Sequence, residues 1–251
     1  MKKIFLTLIF TICVTSLIFA QNTNHGTNAG NAGFNNTNIG YKAGELVTGF
    51  QNTFTGHLAG SKTTSGFNNV FVGAYNGWQN TTGYENIMVG SRAGYNNTTG
   101  YRNIFLGQNA GYSNTTGRYN SFMGYFSGWQ NTSGTYNIFL GYYTGYSNTS
   151  GQRNIFIGRN SGYDNTSGSY NTFLGEATGS NNTYGSHNTF IGSRSGESNT
   201  SGMENIYIGN NAGFYNTNSS GNVFLGSYAG QAATGSNNTF LGNRGIQSKS
   251  S

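Results

Sequence analysis

The chain has 251 residues, with 41 glycines, no proline, 15% aromatic residues and only 7% charged ones. This balance excludes a disordered chain, which is poor in aromatics and rich in charge or proline, and collagen, which needs glycine at every third position together with proline. The formal net charge of +6 comes from scattered lysines and arginines with no dense run, so a nucleic-acid partner, which calls for a concentrated basic patch, is not expected.

Residues 1–20 open the chain with Lys2 and Lys3, then an apolar run to Phe19 and a small residue, Ala20. This is the layout of a secretory signal peptide cleaved before Gln21. The alternative is an uncleaved anchor, although the run is short for a membrane span and carries Thr and Ser. Cleavage removes Lys2 and Lys3 and leaves a net charge of +4. The single cysteine, Cys13, leaves as well, so the mature chain has no disulfide, thiolate metal site or cysteine nucleophile. No transmembrane segment is expected in the mature chain. Residues 21–35 are rich in Gly and Asn and read as an N-terminal cap or a degenerate coil. Residues 36–245 form a repeat domain, and residues 246–251 a polar tail.

The repeat is set by three glycine series in phase. One runs Gly56, Gly73, Gly90 and onward to Gly226, every step being 17 residues. A second follows four residues behind, from Gly60 to Gly230, and a third runs from Gly66 to Gly202. One unit, Asn103 to Tyr119, reads NIFLGQNAGYSNTTGRY. Ile104-Phe105-Leu106 is short, β-branched and aromatic, and Gly107 bounds it, which predicts a short strand. Asn-Thr-Thr-Gly supplies turn chemistry. A helix is excluded, since each interior glycine would cost about 1 kcal/mol.

One such unit cannot bury its own apolar face, but a stack of identical units can. The expected fold is therefore all-β: a single parallel β-solenoid, or β-roll, of about twelve coils, forming a rod of roughly 55–60 Å at the spacing of hydrogen-bonded strands. Equivalent residues then form ladders along the axis. The aromatic one is Phe54, Phe71, Met88, Phe105, Phe122, Phe139, Phe156, Phe173, Phe190, Tyr207, Phe224 and Phe240. An aliphatic ladder runs from Val72 to Leu241, and an asparagine ladder from Asn52 to Asn238. Stacked asparagine amides can bond coil to coil.

Neighbouring strand residues face opposite ways, so Phe105 points to one side and Ile104 and Leu106 to the other. Both sides are apolar, as in strands covered on both faces. A thin solenoid has one interior, so the second face needs a cover. A homotrimer would supply it; the alternative is a monomer that folds its own loops over that face.

The units Asn-Ile-Phe-Leu-Gly, followed by a small residue and Gly, resemble the YadA-like head repeats of trimeric autotransporter adhesins. They are also similar to repeat arrays in secreted and tail-fibre-like proteins of Bacteroidetes, whose signal peptides end much like Ile18-Phe19-Ala20-Gln21. The resemblance covers about four-fifths of the chain and implies a left-handed β-roll, a homotrimer, and a place at the outer surface of a Gram-negative bacterium. The unit departs from that family in being longer and in carrying Phe at the central strand position. The sequence given also shows no coiled-coil stalk or membrane-anchor barrel.

Catalytic chemistry is not indicated. The six acidic residues (Glu45, Glu85, Asp164, Glu176, Glu197, Glu204) and three histidines (His25, His57, His187) hold no fixed place in the repeat. No catalytic set, cofactor or metal site is assigned, and hard cations would need several oxygen ligands together. Glu85 and Arg102, 17 residues apart, are expected to meet as a surface ion pair. The candidate ligand-contact stripe is Trp78, Tyr95, Tyr112, Trp129, Tyr146 and Tyr163, which follow the second glycine of successive units. Exposed aromatics serve recognition because each joins a rigid apolar face to a polar edge. A glycan or host-surface ligand would be bound by repetition; the structural alternative is that these rings cap the core or pack on a neighbouring subunit. A threonine stripe from Thr81 to Thr200 is reminiscent of ice-binding solenoids. The expected function is a non-enzymatic extracellular structural or adhesive rod, the alternatives being a fibre shaft and an ice-binding solenoid.

Overall fold

A computed structural model describes residues 22–243. The signal peptide with Cys13 and the polar tail over 246–251 lie outside the described residues. The fold is all-β: fourteen strands of three residues each, from Thr23–His25 to Thr239–Leu241, form one parallel sheet in strict chain order. It is a β-solenoid with one strand per coil. The pairing registers Phe105 on Phe122 and Phe122 on Phe139, a step of 17 residues. The steps are shorter at the ends: Thr23 pairs with Thr37, Thr37 with Thr53 and Val223 with Thr239. The stack is about 60 Å long at the usual strand spacing. Among the described residues no helix is long and apolar enough to cross a membrane.

Each backbone group of the strand bonds to a neighbouring coil. Ile104 N–H donates upward to Asn120 O and Gly107 N–H downward to Val89 O, both at 2.8 Å. Coils can lie this close only where no side chain intervenes. At Gly107 the φ is +136°, and a Cβ would come within 2.5 Å of Gly124 O.

The interior takes four side chains from each coil. Phe105 and its equivalents from Phe54 to Phe224 are fully buried, and their rings stack along the axis, as Phe122 on Phe139 at 4.8 Å and 8°. Opposite sits a small residue, Ala110, Ser127 or Thr144 in successive coils. Where it is polar, the hydroxyl is satisfied: Thr144 Oγ1 donates to Gly158 O at 2.8 Å. The other two positions are both asparagine.

The expected asparagine ladder is present. Asn103 Oδ1 accepts from the Asn120 backbone N–H at 3.0 Å, and Asn103 Nδ2 donates to Asn86 Oδ1 at 3.1 Å and Gly117 O at 2.9 Å. A second, equally buried ladder comes from the Asn-Thr-Thr/Ser-Gly corner. Asn97, Asn114, Asn131 and their successors each donate Nδ2 to the Oδ1 one coil below, at 2.7–2.8 Å from Asn97 to Asn199. Buried amides satisfied this way avoid the cost of a lone polar group. Near the N-terminal end the aromatic ladder gives way to Asn38, whose Nδ2 donates to Gly30 O at 2.7 Å and Asn24 Oδ1 at 3.0 Å.

The outer face of the sheet is apolar and open. Val70, Val72, Ile87, Val89, Ile138, Leu140, Ile155, Ile157, Ile206 and Ile208 are 36–45% exposed, while the Phe, Met or Tyr between each pair is fully buried. Strand alternation is therefore resolved in favour of the aromatic side as the interior.

Candidate functional site

The six residues of the candidate stripe stand in one column on the outside of the rod. Each follows a buried, left-handed glycine, such as Gly94 before Tyr95 at φ +57°, which turns the next side chain outward. All six are half-buried. Centroid spacings along the column are 5.0 Å for Trp78–Tyr95 and Tyr95–Tyr112, 6.0 Å for Tyr112–Trp129, and 5.0 Å for Trp129–Tyr146 and Tyr146–Tyr163. The spacing matches the rise of one coil, and the tyrosine pairs are close to parallel, 3° for Tyr95–Tyr112 and 2° for Tyr146–Tyr163, while Trp78–Tyr95 and Tyr112–Trp129 are inclined by 31° and 26°. Ring faces within the column thus cover one another, and what reaches solvent is a series of ring edges and hydroxyls. A ligand lying along this column would meet C–H edges and Tyr Oη groups rather than open faces.

The column broadens in its middle. Tyr125 stacks on Tyr142 at 5.3 Å and Phe126 on Tyr143 at 5.3 Å, and Phe126 reaches Trp129 at 5.9 Å while Tyr143 reaches Tyr146 at 5.2 Å. Three adjoining columns make one aromatic patch, with Tyr142 and Tyr125 the most exposed of these rings. Burial, and after it the neighbouring phenols, hold the hydroxyls of Tyr95, Tyr143 and Tyr163 above the usual phenol range. They remain neutral donors at ordinary pH.

A separate aromatic column lies beside the strand. Phe50, Phe67, Tyr84 and Tyr101 stack at 5.0, 4.8 and 4.6 Å, and an adjoining column one residue along holds Tyr119 and Tyr136 at 4.8 Å, with Tyr119 edge-on to Tyr101 at 5.5 Å. Where a ring is missing, arginine enters. The Arg153 guanidinium lies 5.7 Å from the Tyr136 centroid and 5.1 Å from that of Tyr170, and donates to the Tyr170 hydroxyl. Arg102 donates to Tyr119 Oη at 2.7 Å and to Glu85 Oε2 at 2.5 Å. The Glu85–Arg102 pair is thus formed one coil apart as expected, and with both side chains more than a third exposed it is screened by solvent and contributes little to stability. Sequence reasoning passed over this column and the Phe126–Tyr143 one. The signal was there in the same 17-residue spacing, which also separates Phe50, Phe67, Tyr84 and Tyr101, but each series fills only some of the coils.

The threonine stripe has a structural role. Thr81, Thr98, Thr115, Thr132, Thr149, Thr166 and Thr183 each donate Oγ1 to the threonine carbonyl one coil on, at 3.0 Å, and Thr200 Oγ1 donates to Asn218 Oδ1 at 2.6 Å. Their hydroxyl protons are committed to acceptors within the chain rather than free for ordered water. Among the described residues no group of three or more His, Cys, Asp or Glu is placed to hold a metal ion. Comparison with protein-family models, curated proteins and solved structures gave no match.

Proposed function

We propose that the chain is a non-enzymatic, secreted rod of the outer surface of a Gram-negative bacterium, structural and adhesive in role, which associates as a homotrimer and holds a glycan or host-surface ligand along its aromatic columns. The observation that carries this reading is the three-column patch of Tyr125, Phe126, Trp129, Tyr142, Tyr143 and Tyr146. Inward stabilisation alone calls for one ring per coil, and the Phe105 column already supplies it. The outer rings add a continuous, uncharged surface with apolar edges and phenolic donors, the chemistry that suits the mixed polar and apolar faces of a carbohydrate. Repetition at one coil per contact favours long, periodic ligands through avidity.

Binding of the purified chain to a glycan array and to intact cells tests this. Trp129→Ala and Tyr146→Ala together should lower retention at least tenfold, while circular dichroism stays that of the wild type. Equal retention by the double variant would remove the patch from the mechanism.

A further inference from the structure

The outer column that runs from Trp78 to Tyr163 is closed differently at its two ends. At the N-terminal end Lys62 Nζ sits over Trp78, 3.8 Å from the ring centroid. Tyr163 ends the column on the other side. Its ring partners, Tyr146 and Tyr143, both come from preceding coils, and the next two rungs are Ser180 and Glu197. Among the described residues no ring or cation covers the far face of Tyr163. Ser180 is correctly placed as the next rung, since the Asp164 backbone N–H donates to its carbonyl at 2.8 Å.

Elsewhere the molecule shows what fits a one-rung gap. In the column of Tyr119 and Tyr136, the guanidinium of Arg153 occupies the level between Tyr136 and Tyr170. A flat, delocalised cation has the thickness of a ring, and stacks on aromatic faces more readily than a compact, strongly hydrated ammonium. Asp164 follows Tyr163 directly in the chain. Among the described residues the ion pairs engage Glu45, Glu85, Glu176 and Glu197, and the Asp164 carboxylate meets no cation, accepting only from the Ser147 hydroxyl of the preceding coil, at 3.5 Å. Burial raises the pKa of this carboxyl, as expected for an acid without a cation near it.

We propose that the rung left open at Ser180 receives the guanidinium of an arginine side chain from a peptide or protein partner, stacked on the free face of Tyr163 and paired with Asp164. Each element has its counterpart within the chain: the cation over a terminal ring in Lys62 on Trp78, and the guanidinium in a missing rung in Arg153. The site adjoins the Trp129 patch, since Tyr163 stacks on Tyr146, but it does not depend on a glycan being the ligand there.

N-acetyl-arginine amide titrated into the purified chain, followed by NMR of the tyrosine rings, provides the test. Saturable shifts should appear at Tyr163, and N-acetyl-lysine amide should bind about fivefold more weakly. Asp164→Asn should weaken the arginine interaction by about tenfold. Ser180→Tyr should abolish it, because the new ring takes the rung itself, and since it extends an existing stack its melting temperature should not fall. An unchanged arginine titration in Ser180→Tyr or in Asp164→Asn would overturn the proposal. So would lysine binding as tightly as arginine, or shifts spread evenly over the exposed tyrosines.

Discussion

Tyr207 stands between Phe190 and Phe224 in the inner column, 4.7 Å from each ring and as fully buried as they are. Its hydroxyl lacks a well-formed hydrogen bond, with Asn222 giving only weak compensation. Burial accordingly drives its pKa well above the usual phenol value of 10.0. A buried, unsatisfied hydroxyl costs free energy that a phenylalanine of the same shape would not incur, so Tyr207→Phe should stabilise the rod by about 1 kcal/mol. The pH dependence has a definite sign. Below pH 10 the group is neutral in both states and contributes no slope. Above it the unfolded chain releases a proton that the folded chain retains, so stability falls as pH rises. Urea midpoints of wild type and Tyr207→Phe should therefore differ modestly at pH 7 and diverge above pH 10. A constant gap across that range would mean that the hydroxyl is not buried as described.

Among the left-handed residues of a single coil, two lie two positions apart, Asn109 at φ 58° and Gly111 at φ 59°. Backbone conformation alone does not reserve such a place for glycine, since the position of Asn109 is filled by Tyr143, Arg194 and Ala177 in other coils. Close approach does. A Cβ on Gly111 would lie 2.7 Å from a ring carbon of Phe105, whereas position 109 and its equivalents accept side chains as large as Tyr and Arg. Gly111→Ala should thus cost about 3 kcal/mol, from left-handed strain together with overpacking. Asn109→Ala reproduces what Ala177 already tolerates and should cost under about 1 kcal/mol. Denaturant midpoints of the two variants decide between this account and one based on φ alone, which predicts equal losses. The same distinction explains the inward asparagine at 114. The Asn-Thr-Thr-Gly corner reads as turn chemistry, yet its asparagine side chain faces inward and bonds to Asn97 and Gly117, so one residue shapes the corner and fills the interior.

At the scale of the whole molecule, strands contact only their neighbours in sequence, so the rod behaves as a one-dimensional array in which each coil is held by the two beside it. The sheet leaves one long face unpaired, and its Val, Ile and Leu side chains form an exposed stripe. Large contiguous apolar stripes of this kind mark association surfaces. If three copies meet there, light scattering of the wild type should return about three chain masses. Ile138→Lys with Ile155→Lys, both outward-facing and absent from the interior, should return one mass, with circular dichroism unchanged. A wild-type chain that is monomeric at micromolar concentration would end the trimer reading without touching the solenoid.

The 17-residue glycine phase, the strand at Ile104-Phe105-Leu106, the column of Phe105 equivalents, the Asn103 ladder and the line of six outer aromatics were all legible in the sequence. Repetition converts spacing along the chain into adjacency in space, so a period is enough to place like residues on like. The period says nothing about direction across the coil. Strand alternation sets Phe105 opposite Ile104 and Leu106 without stating which side lies inside, and it leaves Asn114 as a turn residue. Those choices belong to the tertiary structure, because they depend on how closely the backbone on the far side of one coil, at Gly111, approaches the strand, leaving room for a single ring there. The stacking of outer rings face against face, and the open rung beside Tyr163, follow from the same cause: a fixed rise per coil that a ring or a guanidinium fills and a serine does not.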